Sequence, residues 1–196
     1  VELYEEICEL GDALADADNR LGDALGYYSC TAETQTELDA IEVFMETATD
    51  VAEVNAKTAR VNELIATFTL NVPQAGKFYR LKNGASGWYA TSDLRTDEAE
   101  HATKLYMLED GTQANTIWYV GANNALLSYA KGQYLGDMSG DWSFETIGSE
   151  GNATTFVQGA TVGKIQIKPS SGRSLYGDKI RVDAAGEENN SGNYEW

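Results

Sequence analysis

Lys77-Phe78-Tyr79-Arg80-Leu81-Lys82, leading on to Gly87-Trp88-Tyr89, decides the fold, because two later stretches repeat its pattern. Ala125-Leu126-Leu127-Ser128 leads to Gly132-Gln133-Tyr134-Leu135, and Lys164-Ile165-Gln166-Ile167-Lys168 leads to Gly172-Arg173-Ser174-Leu175-Tyr176. With Leu81, Leu127 and Ile167 placed as equivalents, the steps to Tyr89, Tyr134 and Leu175 are 8, 7 and 8. Each copy therefore reads as a hairpin, with a glycine-containing turn between two short alternating strands.

Each copy also closes on an aromatic residue: Trp118, Phe156 and Trp196, separated by 38 and 40 residues. Third strands are expected at 104–108, 142–147 and 179–182, which makes four strands per copy and twelve in all. A period near forty, taken three times, fits a closed β unit with pseudo-threefold symmetry.

Working outward, the composition changes near Asn71-Val72-Pro73. Residues 1–72 carry sixteen Asp or Glu against three Lys or Arg, a net −13, and the remainder carries fifteen against eleven, a net −4. Sixteen of the 19 glycines and fifteen of the twenty aromatics fall in the second part. This predicts an α+β chain of two domains, an acidic helical one over 1–72 and an all-β one over 73–196.

In the first part Leu3, Ile7, Leu10, Leu14, Ala17, Leu21, Ala24 and Tyr28 keep the alternating 4-3 spacing of a packed helical seam. A second run extends from Leu38 to Phe68 with a softer middle around Asn55. Gly26 is placed to end the first helix. Thr34-Gln35-Thr36-Glu37 matches a capping box for the next. The expectation is an antiparallel helical hairpin. A continuous first helix carries its end roughly 27 Å from Cys8, so no Cys8–Cys30 bond is expected.

The β segment resembles the β-trefoil of ricin-type lectins, whose lobes carry a Gln-x-Trp hallmark. The run from Pro73 to Asn83, following a helical segment, is similar to trefoil-like modules of secreted multidomain Bacteroidetes proteins. The resemblance implies that Trp118, Phe156 and Trp196 are core positions. It also implies a secreted or cell-surface accessory module of a larger protein, with a glycosidase as one kind of parent and a glycan as partner. The lectin sugar pockets do not carry over directly. Thr116, Thr154 and Tyr194 stand where the hallmark Gln belongs, and no Asp lies between Leu81 and Tyr89.

A net charge of −17 argues against nucleic acid, which needs a basic surface to displace counterions, and against anionic lipid. No apolar run is long enough to cross a membrane. The chain begins inside what reads as a helix and ends on what reads as a strand, so it is expected to be a piece of a larger polypeptide. The lone His101 sits in a polar acidic loop, which leaves no two-histidine metal site and no second histidine for a triad. Turn carboxylates such as Asp137 and Asp141 are hydrated and ill suited to acid catalysis. No catalytic residue, metal or cofactor is expected.

Candidate ligand residues are those that break the threefold pattern. With Tyr89 assigned inward, strand alternation points Trp88 outward, as a platform for the apolar face of a sugar ring. Trp142 beside Asp141 is a second platform, with Tyr129 and Tyr176 behind it. Asp93 and Asp137 would supply hydrogen bonds. The competing expectation is a structural spacer or protein-docking module, in which these rings pack against neighbouring loops.

Overall fold

Two short polar side chains, Thr31 and Asp50, cut the first part of the chain into three helices. Thr31 Oγ1 accepts the Thr34 backbone N–H at 3.2 Å, and Asp50 Oδ1 accepts that of Glu53 at 2.9 Å. Each satisfies a donor that a helix start leaves unpaired. The computed structural model accordingly has α1 at Glu2–Arg20, α2 at Ala32–Met45 and α3 at Val51–Ile65. It describes residues 1–94, 105–137, 144–147, 152–169, 174–177, 182–185 and 192–196.

The helical hairpin expected from the sequence is thus corrected to three helices. The apolar period runs on through the break because Met45 and Ala48, on its near side, pack against the same core as Val54 and Val61 beyond it. The cap of α2 also sits three residues earlier than Thr34. Glu37, read as the closing member of a capping box, instead lies inside α2 and bonds Arg60 of α3.

α1 stops at Arg20, before Gly26, where Leu21 turns extended. Gly26 takes a φ of +79°, which glycine adopts without a Cβ penalty. Its N–H reaches Asn71 O at 3.0 Å, and Asn71 N–H reaches Tyr27 O at 2.7 Å. β1 (Tyr28–Ser29) pairs antiparallel with β2 (Thr69–Leu70), so the α1–α2 link is tied to the end of α3. Leu10, Ala17, Leu38, Ile41, Val54, Val61 and Leu64 form the core of this unit. Cys8 is exposed, Cys30 half-buried, and both are free thiols.

The backbone divides into two compact units, Val1–Asn71 and Val72–Trp196. In the second, the strands are β3 (Phe78–Arg80), β4 (Tyr89–Leu94), β5 (Leu105–Leu108) and β6 (Ile117–Val120). They continue with β7 (Leu126–Ser128), β8 (Tyr134–Asp137), β9 (Phe144–Ile147) and β10 (Thr155–Gln158). β11 (Ile165–Lys168), β12 (Ser174–Gly177) and β13 (Val182–Ala185) complete them. Among the described residues of this unit the strands pair antiparallel, in a five-stranded sheet of order β3-β6-β7-β8-β9 and the pairs β4-β5, β10-β11 and β12-β13.

Two of the described turns carry the same backbone hydrogen bonds. Asn83 N–H bonds Trp88 O and Gly87 N–H bonds Asn83 O; Ser128 N–H bonds Gln133 O and Gly132 N–H bonds Ser128 O. Gly87 and Gly132 sit at φ +72° and +62°, the left-handed conformation that closes such a turn. Asn83 therefore matches Ser128, which makes Leu126, not Leu127, the equivalent of Leu81. Burial agrees, with Leu126 at 1% exposure and Leu127 half-buried. In the third copy, Phe156 faces Ile167 as Trp118 faces Ser128, so Ile165 takes the place given to Ile167.

The inward residue of β4 is Ala90, 1% exposed, whereas Tyr89 is half-buried. The third strand expected at 179–182 is found at Val182–Ala185, with 179–181 outside the described residues. The final strand is replaced by a 3-10 turn at Gly192–Tyr194 and one bridge, Gln166 to Glu195. Trp196 still closes on Ile165 by two backbone hydrogen bonds. Leu81, Leu105, Met107, Trp118, Leu126, Leu135, Ile165, Leu175 and Trp196 lie in one core with Phe156 and Ile167.

Candidate functional site

The register of β4 against β5 slips between Ala90↔Met107 and Leu94↔Leu105, so four residue steps on one strand span two on the other. Such bulges re-aim side chains out of the sheet. Thr91 holds this one: its Oγ1 donates to Tyr106 O at 2.9 Å and accepts the Asp93 backbone N–H at 3.3 Å. The result lifts Asp93 out of the ladder while Thr91 and Ser92 stay fully buried.

Asp93 Oδ2 accepts from Asn115 Nδ2 at 2.7 Å, and its Oδ1 lies 3.4 Å from Lys131 Nζ. The carboxylate is 41% exposed, and Lys131 30%. A carboxylate between an amide and an ammonium is fixed in orientation. It keeps outward lone pairs that accept hydroxyl hydrogens, beside a cation that donates to hydroxyl oxygens.

Lys131 belongs to the turn after β7, and that turn carries a second feature. Tyr129, 60% exposed, donates its backbone N–H to Ile117 O. Its ring meets Phe78 edge-on at 5.8 Å between centroids, and Phe78 meets Tyr119 at 5.1 Å. Phe78, Tyr79, Arg80, Ile117 and Tyr129 line a groove of about 410 Å³.

The structure brings one sequence candidate, Asp93, into this polar group. Trp88 is half-buried and packed against the hydrophobic core, so its ring does not stand outward as alternation from Tyr89 implied. The cause is the inward placement of Ala90, which shifts the alternation by one residue. Tyr176 packs edge-on against Tyr194 at 5.0 Å, and its hydroxyl accepts from Asn193 Nδ2 at 3.0 Å. Asn83 Nδ2 donates to Asn193 O at 2.9 Å, so Tyr176 shares a network that ties the segment 192–196 to the first hairpin. Asp137 contributes its backbone to β8, while its side chain, Trp142 and His101 lie outside the described residues.

Asn115, Lys131, Phe78 and Arg80 escaped the sequence reading. One signal was present for the last two: with Tyr79 facing in, Phe78 and Arg80 share the opposite face of β3. Asn115 sits in the 3-10 turn before β6 and Lys131 in the turn after β7, and the pairing of β6 with β7 sets them at the same end of one hairpin. Among the described residues, no three His, Cys, Asp or Glu side chains gather to hold a metal, and no helix is long and apolar enough to cross a membrane.

No family model matches the sequence, and no curated protein matches it. Solved structures do. A ricin B-like lectin of Macrolepiota procera, in complex with lactose, aligns with a TM-score of 0.51 at 16% identity over 64% of this chain and 96% of that one. The mdaA-1 domain aligns at 0.46 with 13% identity, covering 63% of this chain and 89% of that domain. GalNAc-T7 with UDP, GalNAc and Mn2+ aligns at 0.45 with 11% identity, covering 83% of this chain and 31% of that chain. The first of these likenesses shows a ricin-type lectin-like fold.

Proposed function

We propose that the unit from Val72 to Trp196 is a β-trefoil built on three four-stranded repeats, the last strand of the third reduced to the Gln166–Glu195 bridge, and that it binds carbohydrate without catalysis. In this reading it is an accessory module of a larger secreted or surface protein, and the N-terminal helical unit links it to the rest of that polypeptide. The observation that carries the reading is the bulge at Thr91–Asp93, which aims a half-exposed carboxylate between Asn115 Nδ2 and Lys131 Nζ. Acceptors and donors for sugar hydroxyls are met there within one small patch. The shared fold with a lactose-bound lectin supports it.

A glycan array followed by calorimetry tests it, using the intact chain and Asp93→Asn. Binding in the millimolar to micromolar range is expected, with a loss of about tenfold or more in the variant, as for one charged hydrogen bond removed. Hits that Asp93→Asn leaves untouched would move the site elsewhere. A blank array would favour the second reading, a spacer or docking module. That reading has its own support in the packing of Trp88 against the core, which removes one exposed sugar platform.

A further inference from the structure

Phe78 and Arg80 stand two residues apart on β3 and so face the same way, opposite to Tyr79. Their cross-strand partners on β6 are Tyr119 and Ile117, with Trp118 facing inward at 1% exposure. Tyr129 closes the far side. The groove of about 410 Å³ is therefore the outward face of two paired strands, walled by rings and floored by an aliphatic side chain. Its volume lies within the range of small-ligand clefts.

Two features of this face are open to a ligand. Phe78 is 56% and Tyr129 60% exposed, in ring contact with each other but open to water. Arg80 is exposed and makes no ion pair among the described residues. The chain has 31 acidic side chains against 14 Lys and Arg, so a carboxylate partner for an arginine is easily supplied. At Arg80 none is.

We propose that this groove is a subsite for a carboxylated sugar ring, a uronate, held with its C–H face on Phe78 or Tyr129 and its carboxylate on Arg80. The proposal rests on the carbohydrate-binding reading and names the class of sugar. An aromatic wall takes the apolar face of a pyranose, and the planar guanidinium matches a carboxylate through two parallel N–H···O bonds. The opposing net charge of the chain acts weakly at this range, since exposed charges beyond about 8 Å are screened at physiological salt. A fork that touches its partner is not.

The test uses the intact chain, Arg80→Gln and Phe78→Ala on an array that carries neutral and uronate glycans, at physiological salt. The best uronate oligosaccharide is then titrated as the free acid and as its methyl ester. For the native chain, hits concentrate among uronates, and esterification weakens binding by about tenfold or more. Arg80→Gln brings the free acid down to the level of the ester, and Phe78→Ala weakens both. Both substitutions are at exposed positions, and circular dichroism is used to check that each variant folds. Acid and ester bound equally by the native chain, or a preference that survives Arg80→Gln, overturns the uronate subsite and leaves sugar binding standing. No binding of any glycan overturns both.

Discussion

The indole N–H of Trp118 donates to the backbone carbonyl of Ala90 at 3.1 Å, and that of Trp196 donates to Leu175 O at 2.9 Å. Ala90, Leu135 and Leu175 are the buried residues at the head of β4, β8 and β12, at 1%, 2% and 1% exposure. Phe156 has no N–H to offer Leu135. The Leu135 carbonyl is instead approached by the Asn152 backbone N–H at 3.4 Å. The two tryptophans that mark the repeat thus satisfy strand carbonyls as well as fill the core. Where the donor is missing, the backbone nearby supplies one.

Trp118→Phe removes the donor and adds no substitute, leaving the Ala90 carbonyl short of a partner in a fully buried site. A buried acceptor left unmade costs about 1–3 kcal/mol, and the smaller ring adds a cavity cost on top. Denaturant unfolding should show a clearly lowered midpoint for Trp118→Phe. A midpoint equal to that of the native chain would mean that the indole bond adds nothing.

The registration of Leu126 with Leu81 is open to a paired comparison. Leu126→Ala empties a core position and should cost about 2–5 kcal/mol. Leu127→Ala truncates a half-buried side chain on the opposite face of β7 and should cost far less. Equal losses, or the reverse order, would restore the register in which Leu127 faces inward.

The repeat was legible because its markers are glycine turns and large aromatics, whose geometry leaves few alternatives. The register was less so. Ala125-Leu126-Leu127 offers two adjacent leucines, and apolarity alone does not say which one the pleat turns inward; the hydrogen bonds of Ser128 decide it. The same ambiguity misplaced Trp88, since Tyr89 looks like the core residue until the small Ala90 is found there. The helix break at Glu46–Asp50 was hidden for a related reason, because Met45 just before it and Ala48 within it keep packing on the core while the other residues of the break are exposed. Of the site, Asp93 was readable as a lone carboxylate. Its partners Asn115 and Lys131 were not, since nothing local in sequence links loops 22 and 38 residues away.

Asp50 gives a direct test of that third helix. Its carboxylate is the side-chain acceptor at the start of α3, so Asp50→Ala should lower the stability of the helical unit by about 1 kcal/mol, while Asp50→Ser or Asp50→Asn largely preserves it. Hydrogen exchange should show faster opening of the first turn at Val51–Glu53 in the alanine variant. A continuous helix through Asp50, as the uninterrupted apolar run suggests, predicts instead that alanine stabilises.

The link between α2 and α3 at Arg60 should make stability depend on pH in one direction. Arg60 Nε and Nη2 donate to the two carboxylate oxygens of Glu37 at 2.7 and 2.9 Å, and Nη1 donates to Glu63 at 2.9 Å. This fork holds the Glu37 carboxyl below the usual glutamate range, and the two carboxylates raise the guanidinium in turn. A folded value below the unfolded one favours the folded state once glutamate is ionised in the unfolded chain. The stabilisation is therefore complete above the ordinary glutamate range and disappears as pH falls through the depressed value. The pair is exposed, so the effect is small and salt-sensitive. Arg60→Gln should melt slightly below the native chain near neutral pH in low salt, and the gap should close on acidification. NMR titration should find Glu37 returned toward its ordinary value in the variant. A gap that stays constant from neutral to acid pH would assign the effect of Arg60 to the packing of its aliphatic stem rather than to its charge.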